Sequence, residues 1–117
     1  MATANYTREI DNVGQKVIKW VLTDANDVGQ AYPFSASYPD KNVQVIGTLG
    51  TTPNLKFQGC NEATPVNFNE VHDSNETVLD TVVALGFYQI LENPVHFRPI
   101  KTAGTGMNLT ILLCLSR

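Results

Sequence analysis

The fold turns on the last third of the chain, residues 82–117, VVALGFYQILENPVHFRPIKTAGTGMNLTILLCLSR. It reads as β-strands in succession, parted by turns at Glu92-Asn93-Pro94 and at Ala103-Gly104-Thr105-Gly106, the second taken as a hairpin loop. The final run, Met107 to Leu115, is too apolar for a solvated edge. It is also too short to cross a membrane as a helix, which takes about 20 apolar residues, so it is expected to be buried. In an extended strand Leu109, Ile111, Leu113 and Leu115 share one face, and Leu112 and Cys114 share the other. A strand in one layer of a sandwich buries a single face against its own core. The second face of this strand therefore calls for separate cover, and another subunit is the expected source.

Immediately upstream, Gly86 to Leu91 sets Phe87, Gln89 and Leu91 against Tyr88 and Ile90, which predicts burial on both sides. Val95 to Lys101 alternates Val95, Phe97 and Pro99 with His96, Arg98 and Ile100. Near the N-terminus, Gln15 to Leu22 is a strand by its β-branched and aromatic content, with Ile18, Trp20 and Leu22 facing inward. Lys41 to Leu49 alternates as well, placing Val43, Val45, Gly47 and Leu49 together. Asn54 to Gly59 mirrors it across a Gly50-Thr51-Thr52-Pro53 turn, so the two are expected to pair as a β-hairpin. Val66 to Val71 is a further strand, Thr77 to Ala84 is read as strand in preference to helix, and residues 23–29 read as loop. Tyr32 to Asp40 carries two prolines and suits only a short or edge strand, on which Tyr32, Phe34 and Tyr38 would share a face. About seven to nine short strands joined by Gly, Pro, Asn and Asp turns, with no convincing helix, describe an all-β, single-domain antiparallel β-sandwich of jelly-roll-like type, with a small closed barrel as the alternative. The sandwich domain is assigned to residues 15–117. Residues 1–14 are polar and aperiodic and are assigned to a flexible N-terminal arm, with Tyr6 and Ile10 as apolar anchors for a neighbour.

A chain of 117 residues holds one core. Only 16% of its residues are charged, well under the usual quarter, which fits a domain that hides surface in partners. The net charge of −3 and the scattered basic residues argue against nucleic acid, whose affinity comes from phosphate neutralisation. No membrane association is expected. The N-terminal stretch lacks the basic and apolar regions of a secretion signal, which points to synthesis in a cytoplasm. The sequons at Asn5, Asn75 and Asn108 are accordingly read as Asn/Thr richness. Cys60 and Cys114 stand alone in sequence and are expected to be reduced apolar fillers, although one disulfide is open to them.

The usual catalytic constellations are missing from the pattern. His72 and His96 have no second ligand at metal spacing, and a zinc site from His72, Asp73 and His96 is a remote alternative. Nothing pairs the carboxylates of Glu62, Glu70, Asp73, Glu76 and Asp80. No Gly-x-Ser-x-Gly elbow occurs, and Gly104-Thr105-Gly106 lies between strands where a phosphate cradle would open a helix. The expectation is a non-enzyme with no cofactor, no metal and no catalytic residue. The residues expected to meet a partner are Tyr6, Ile10, Tyr32, Phe34, Tyr38 and Arg98. Tyr32, Phe34 and Tyr38 could form an aromatic platform or seal a subunit contact. Arg98, held on a strand between Phe97 and Pro99, could bridge to a carboxylate within or between subunits.

Two phrases carry a resemblance. VQVIGTLGTTPNLKFQGCNE, residues 43–62, and ENPVHFRPIKTAGTGMNLTILL, residues 92–113, resemble strand-and-turn phrases of small tailed-bacteriophage head decoration or cement proteins. The chain departs from them at Gly59-Cys60-Asn61-Glu62, where Ser and Asp would be expected. The resemblance implies a virion structural protein on the outer capsid surface. Its partners would be copies of itself, a homotrimer being favoured and a dimer possible, and the phage major capsid protein, whose joints it would stabilise. The rival from another class is a carbohydrate- or receptor-binding β-sandwich module of a phage tail.

Overall fold

The architecture is built on one long antiparallel ribbon. In the computed structural model, which describes residues 2–24, 26–34, 38 and 40–117, strand β6 (Asp40–Thr48) pairs with β11 (Asn108–Ser116). Strand β7 (Thr51–Cys60) pairs with β10 (His96–Thr105). The two ladders share a register: Asp40 faces Ser116, Thr48 faces Asn108, Thr51 faces Thr105, and Cys60 faces His96, with slips only around Ala103. Residues 40–60 and 96–116 are thus one ribbon bent at its middle, so that its halves lie in different layers, the device on which rolled sandwiches are built.

The hairpin expected between residues 41–49 and 54–59 does not form, and residues 103–106 are not a hairpin loop. Both segments are arches that carry the chain from one layer to the other. The reason lies at the bend. Gly47 has φ of 113° and Gly50 has φ of 74°, and a Cβ built on them would fall 2.3 Å from the Asn108 carbonyl oxygen and 2.1 Å from that of Thr105. The arches are stacked backbone against backbone, a proximity that only glycine permits. On the outer side of the bend, the Asp24 carboxylate accepts from the backbone N–H groups of Gly106 (2.9 Å) and Met107 (3.2 Å).

The remaining strands complete two layers. The first contains β2 (Thr7–Asp11), β3 (Gln15–Thr23), β11, β6 and β9 (Gly86–Gln89). The second contains β8 (Asn69–Glu70), β7 and β10, with β5 (Tyr32–Pro33) on β10. Strand β4 (Asn26–Gly29), in a stretch read as loop, touches both β3 and β10 and carries β1 (Ala2–Ala4) in parallel, joining the layers on one side. On the other side residues 71–82 run along β7: Leu55 and Val82 exchange N–H···O bonds of 3.0 Å, and Phe57 N–H donates to Leu79. The stretch 77–84, read as a strand, contributes only isolated bridges at Val78 and Val82, and of Val66 to Val71 only β8 is strand. The fold is an antiparallel-dominated β-sandwich, with no helix among the described residues.

Residues 2–11, assigned to an arm, instead run as β1 and β2 within these layers. The Tyr6 ring sets them there, packing edge-on against Tyr32 at 5.1 Å and Trp20 at 6.2 Å. The core is filled as alternation requires: Ile18, Trp20, Leu22, Val43, Val45, Leu109, Ile111 and Leu113 from the first layer have no solvent exposure, and Leu55, Phe57 and Phe97 meet them from the second. Gly86 to Leu91 buries one side where two were expected, since Ile90 is inside while Phe87 and Leu91 are exposed. Strand β9 ends the first layer, so its outward face has no third layer to cover it.

Candidate interaction surface

The outer face of the first layer follows from the registers. Opposite each inward residue of β11 its neighbours point out, and the pairing of β9, β6, β11, β3 and β2 aligns them in rows. One row runs Phe87, Gln44, Leu112, Lys19, Thr7. The next runs Gln89, Asn42, Cys114, Val17, Ile10, and on the other side Ile46, Thr110 and Val21 lie abreast. Of these side chains only Lys19 carries a charge, and its ammonium lies 3.0 Å from Glu9, beside the bulge of β2. Phe87 is 70% exposed, and Ile10, Val21 and Ile46 are exposed too, while Leu112, Cys114 and Val17 are half-buried by their neighbours. A sheet face facing water is normally polar along its whole width. This one mixes apolar and neutral groups, the composition of the centre of a protein–protein contact, where charges are depleted.

The expected partner-binding residues separate. Ile10 lies on this face. Tyr32 and Tyr38 are buried in the chain's own core, and Phe34 stacks on Phe97 at 5.4 Å with an interplanar angle of 11°. The aromatic platform is thus folded inward; Ser35, Ala36, Ser37 and Pro39 of that segment lie outside the described residues. The Tyr38 hydroxyl donates toward the carbonyls of Val13 (2.9 Å) and Asn12 (3.2 Å), clasping the turn between β2 and β3. Lysines at the sandwich end cover the rings, Lys41 over Phe34 and Lys16 over Tyr38, each 5.6 Å from the centroid.

Arg98 is on the other layer, facing outward from β10. Its Nε donates to Gln58 Oε1 at 3.0 Å, and its guanidinium carbon lies 3.7 Å from the Phe68 ring centroid. Gln58 in turn donates to Glu70 at 3.4 Å, and Glu70 faces Lys56 at 3.6 Å. Among the described residues Arg98 therefore reaches a carboxylate through Gln58, and burial lowers its pKa from the ordinary value. Phe68, read with Val66 and Val71 as an apolar residue of its stretch, is the lid of this network.

The candidate metal residues are dispersed among other tasks. His72 Nδ1 donates to Glu92 Oε2 at 2.5 Å while Glu92 Oε1 accepts the His72 backbone N–H at 2.8 Å. Asp73 caps the amides of Asn75 and Thr77, and His96 lies opposite Cys60 with its Nε2 buried and unpartnered among the described residues. Cys60 and Cys114 are free thiols, one on each layer.

No family model matches the chain. No curated protein matches it. Among solved structures, the SPBc2 prophage-derived protein YomS has a similar fold. The TM-score is 0.62, with 93% of this chain and 100% of that one covered at 10% sequence identity. At that identity the likeness is one of fold.

Proposed function

We propose that this protein is a non-enzymatic structural subunit of a bacteriophage particle, a decoration or cement protein that associates with copies of itself and bridges joints between major capsid subunits. The observation that carries this reading is the outer face of the first layer, five strands wide, where Lys19 is the charge in the central rows, paired with Glu9, and Asp40 lies at one end. The fold shared with a prophage-derived protein supports a phage setting, as do the strand-and-turn phrases at 43–62 and 92–113. Self-association, favoured as a trimer, would cover Leu112 and Phe87, and the free layer would then face the capsid on the particle's outer surface.

The mechanism is linkage. A subunit that binds both sides of a joint binds only the assembled shell, and so adds its association free energy to that state alone. Many copies on one shell make modest affinity at each site sufficient. The test is to heat particles with and without the protein while following DNA release by dye fluorescence. Particles lacking it should release DNA at lower temperature; identical release curves would sink the reading.

A further inference from the structure

At the β8 edge of the second layer lies a groove of about 360 Å³ that the apolar face does not involve. Its floor is apolar and buried, made by Gly59, Val71 and Pro94, with the Cys60 thiol beside them. A Cβ on Gly59 would fall 2.7 Å from Pro94 Cγ, so the proline ring lies directly on the strand. Its rim carries Asn61, Asn67, Asn69 and Asn93, from the β7–β8 loop, from β8 and from the connection entering β10.

Three of these amides are held at one end and open at the other. Asn61 Oδ1 accepts the Val95 N–H at 3.0 Å, Asn67 Nδ2 donates to Glu62 Oε2 at 3.1 Å, and Asn93 Oδ1 accepts from the Lys41 ammonium. These bonds fix which way each amide points. They leave Asn61 Nδ2 and Asn93 Nδ2 as donors and Asn67 Oδ1 as an acceptor without a protein partner among the described residues. The Asn69 side chain has no such partner at either end. Glu62 makes the loop rigid by also accepting the N–H groups of Asn67 (2.6 Å) and Val66 (3.1 Å). Glu70 and Glu92 line the groove, and no Lys or Arg does.

We infer that this groove is a binding site for a neutral saccharide. A pyranose ring presents C–H groups on its faces, which suit the Pro94, Val71 and Gly59 floor, and hydroxyls around its edge, which both donate and accept as the fixed amides require. No Lys or Arg is among the described lining residues to attract an anionic sugar, and Glu70 and Glu92, the one facing Lys56 and the other hydrogen-bonded to His72, add no attraction for one. Because the amides are already oriented, little ordering entropy opposes binding.

The experiment titrates the full-length ¹⁵N-labelled chain with maltotriose, with chitotriose and with an acidic galacturonate trimer, reading side-chain amide signals by NMR. One of the neutral trisaccharides should move the Asn61, Asn67, Asn69 and Asn93 signals, and the acidic trimer should move them less. Asn69→Ala removes a side chain that supports nothing else. It should keep the backbone spectrum and weaken binding about fivefold to tenfold, the worth of one neutral hydrogen bond. No movement with either neutral sugar, shifts mapping to another face, stronger binding of the acidic trimer, or unchanged affinity in Asn69→Ala would each overturn the inference. The assay uses the isolated chain, so its outcome is independent of whether the protein decorates a capsid.

Discussion

Trp20 has no solvent exposure, and its indole N–H donates to the Gln30 carbonyl at 2.9 Å. Its ring meets Tyr6 and Phe97, so a single side chain ties the N-terminal strands to both layers. Trp20→Ala should cost about 3–5 kcal/mol of stability, measured by urea unfolding, because it opens a large cavity and orphans a carbonyl. Glu62 makes a separate, pH-dependent contribution. The Asn67 backbone N–H, with the Asn67 side chain, the Val66 N–H and the Cys60 thiol, lowers its pKa from 4.5 to about 2. A depressed carboxyl stabilises the fold above its unfolded pKa and loses that contribution as pH falls through the folded one. The loop at 61–67 should therefore hold at pH 4 to 5 and loosen as pH falls toward about 2, with faster amide exchange at Asn67 as the readout. Glu62→Gln should remove this pH dependence. Trp20 was legible as a core residue from its alternation with Ile18 and Leu22. The role of Glu62 was not, because a carboxylate in a polar loop looks the same whether it caps amides or only meets water.

At the level of strands, periodicity assigned faces well and partners poorly. The inward sets of β3 and β11 were read correctly because alternation reports which side is dry. The same alternation in β6 and β7, with a glycine turn between them, equally fits a hairpin within one layer or an arch between two. What separates these is Gly47 and Gly50 against the carbonyls of residues more than fifty positions away, information that no local window contains. Gly50→Ala should destabilise by more than about 1 kcal/mol, since it combines a left-handed backbone with a clash on the Thr105 oxygen. Gly14→Ala, where a Cβ meets nothing within 4 Å, should stay within about 0.5 kcal/mol of the parent. Thermal melts of the two variants side by side check the contrast. The short strand β4 escaped notice because Asn, Asp and Gly dominate it, and only pairing across the sandwich makes it strand, whereas β5 falls in the stretch read as a short or edge strand.

For the whole molecule, the sequence showed two apolar faces on β11 and could not show how wide the outer one extends. Its width comes from the registers, which bring Phe87 and Ile10 from opposite ends of the chain onto the same sheet face. Leu112→Lys combined with Phe87→Lys should leave the fold intact, because neither side chain enters the core. It should also shift the protein from oligomer to monomer in sedimentation at micromolar concentration. A parent that already sediments as a monomer would remove the basis for self-association. The Asn-rimmed groove was likewise invisible beforehand, since Asn61 and Asn93 converge only after the chain between them has gone around the sandwich edge.

The bent ribbon also governs how the molecule comes apart. Because residues 40–60 and 96–116 keep a shared register through the bend, neither layer has a private set of strands that could survive without the other. Closing the ribbon first at Cys60 and His96 saves only about 0.7 kcal/mol of loop entropy over closing it first at Asp40 and Ser116. Contacts between such distant segments also make for slow assembly. The two sheets are consequently a single cooperative unit. Amides on β6 and β7 should open with the same free energy, and damage to one sheet is felt at full strength in the other.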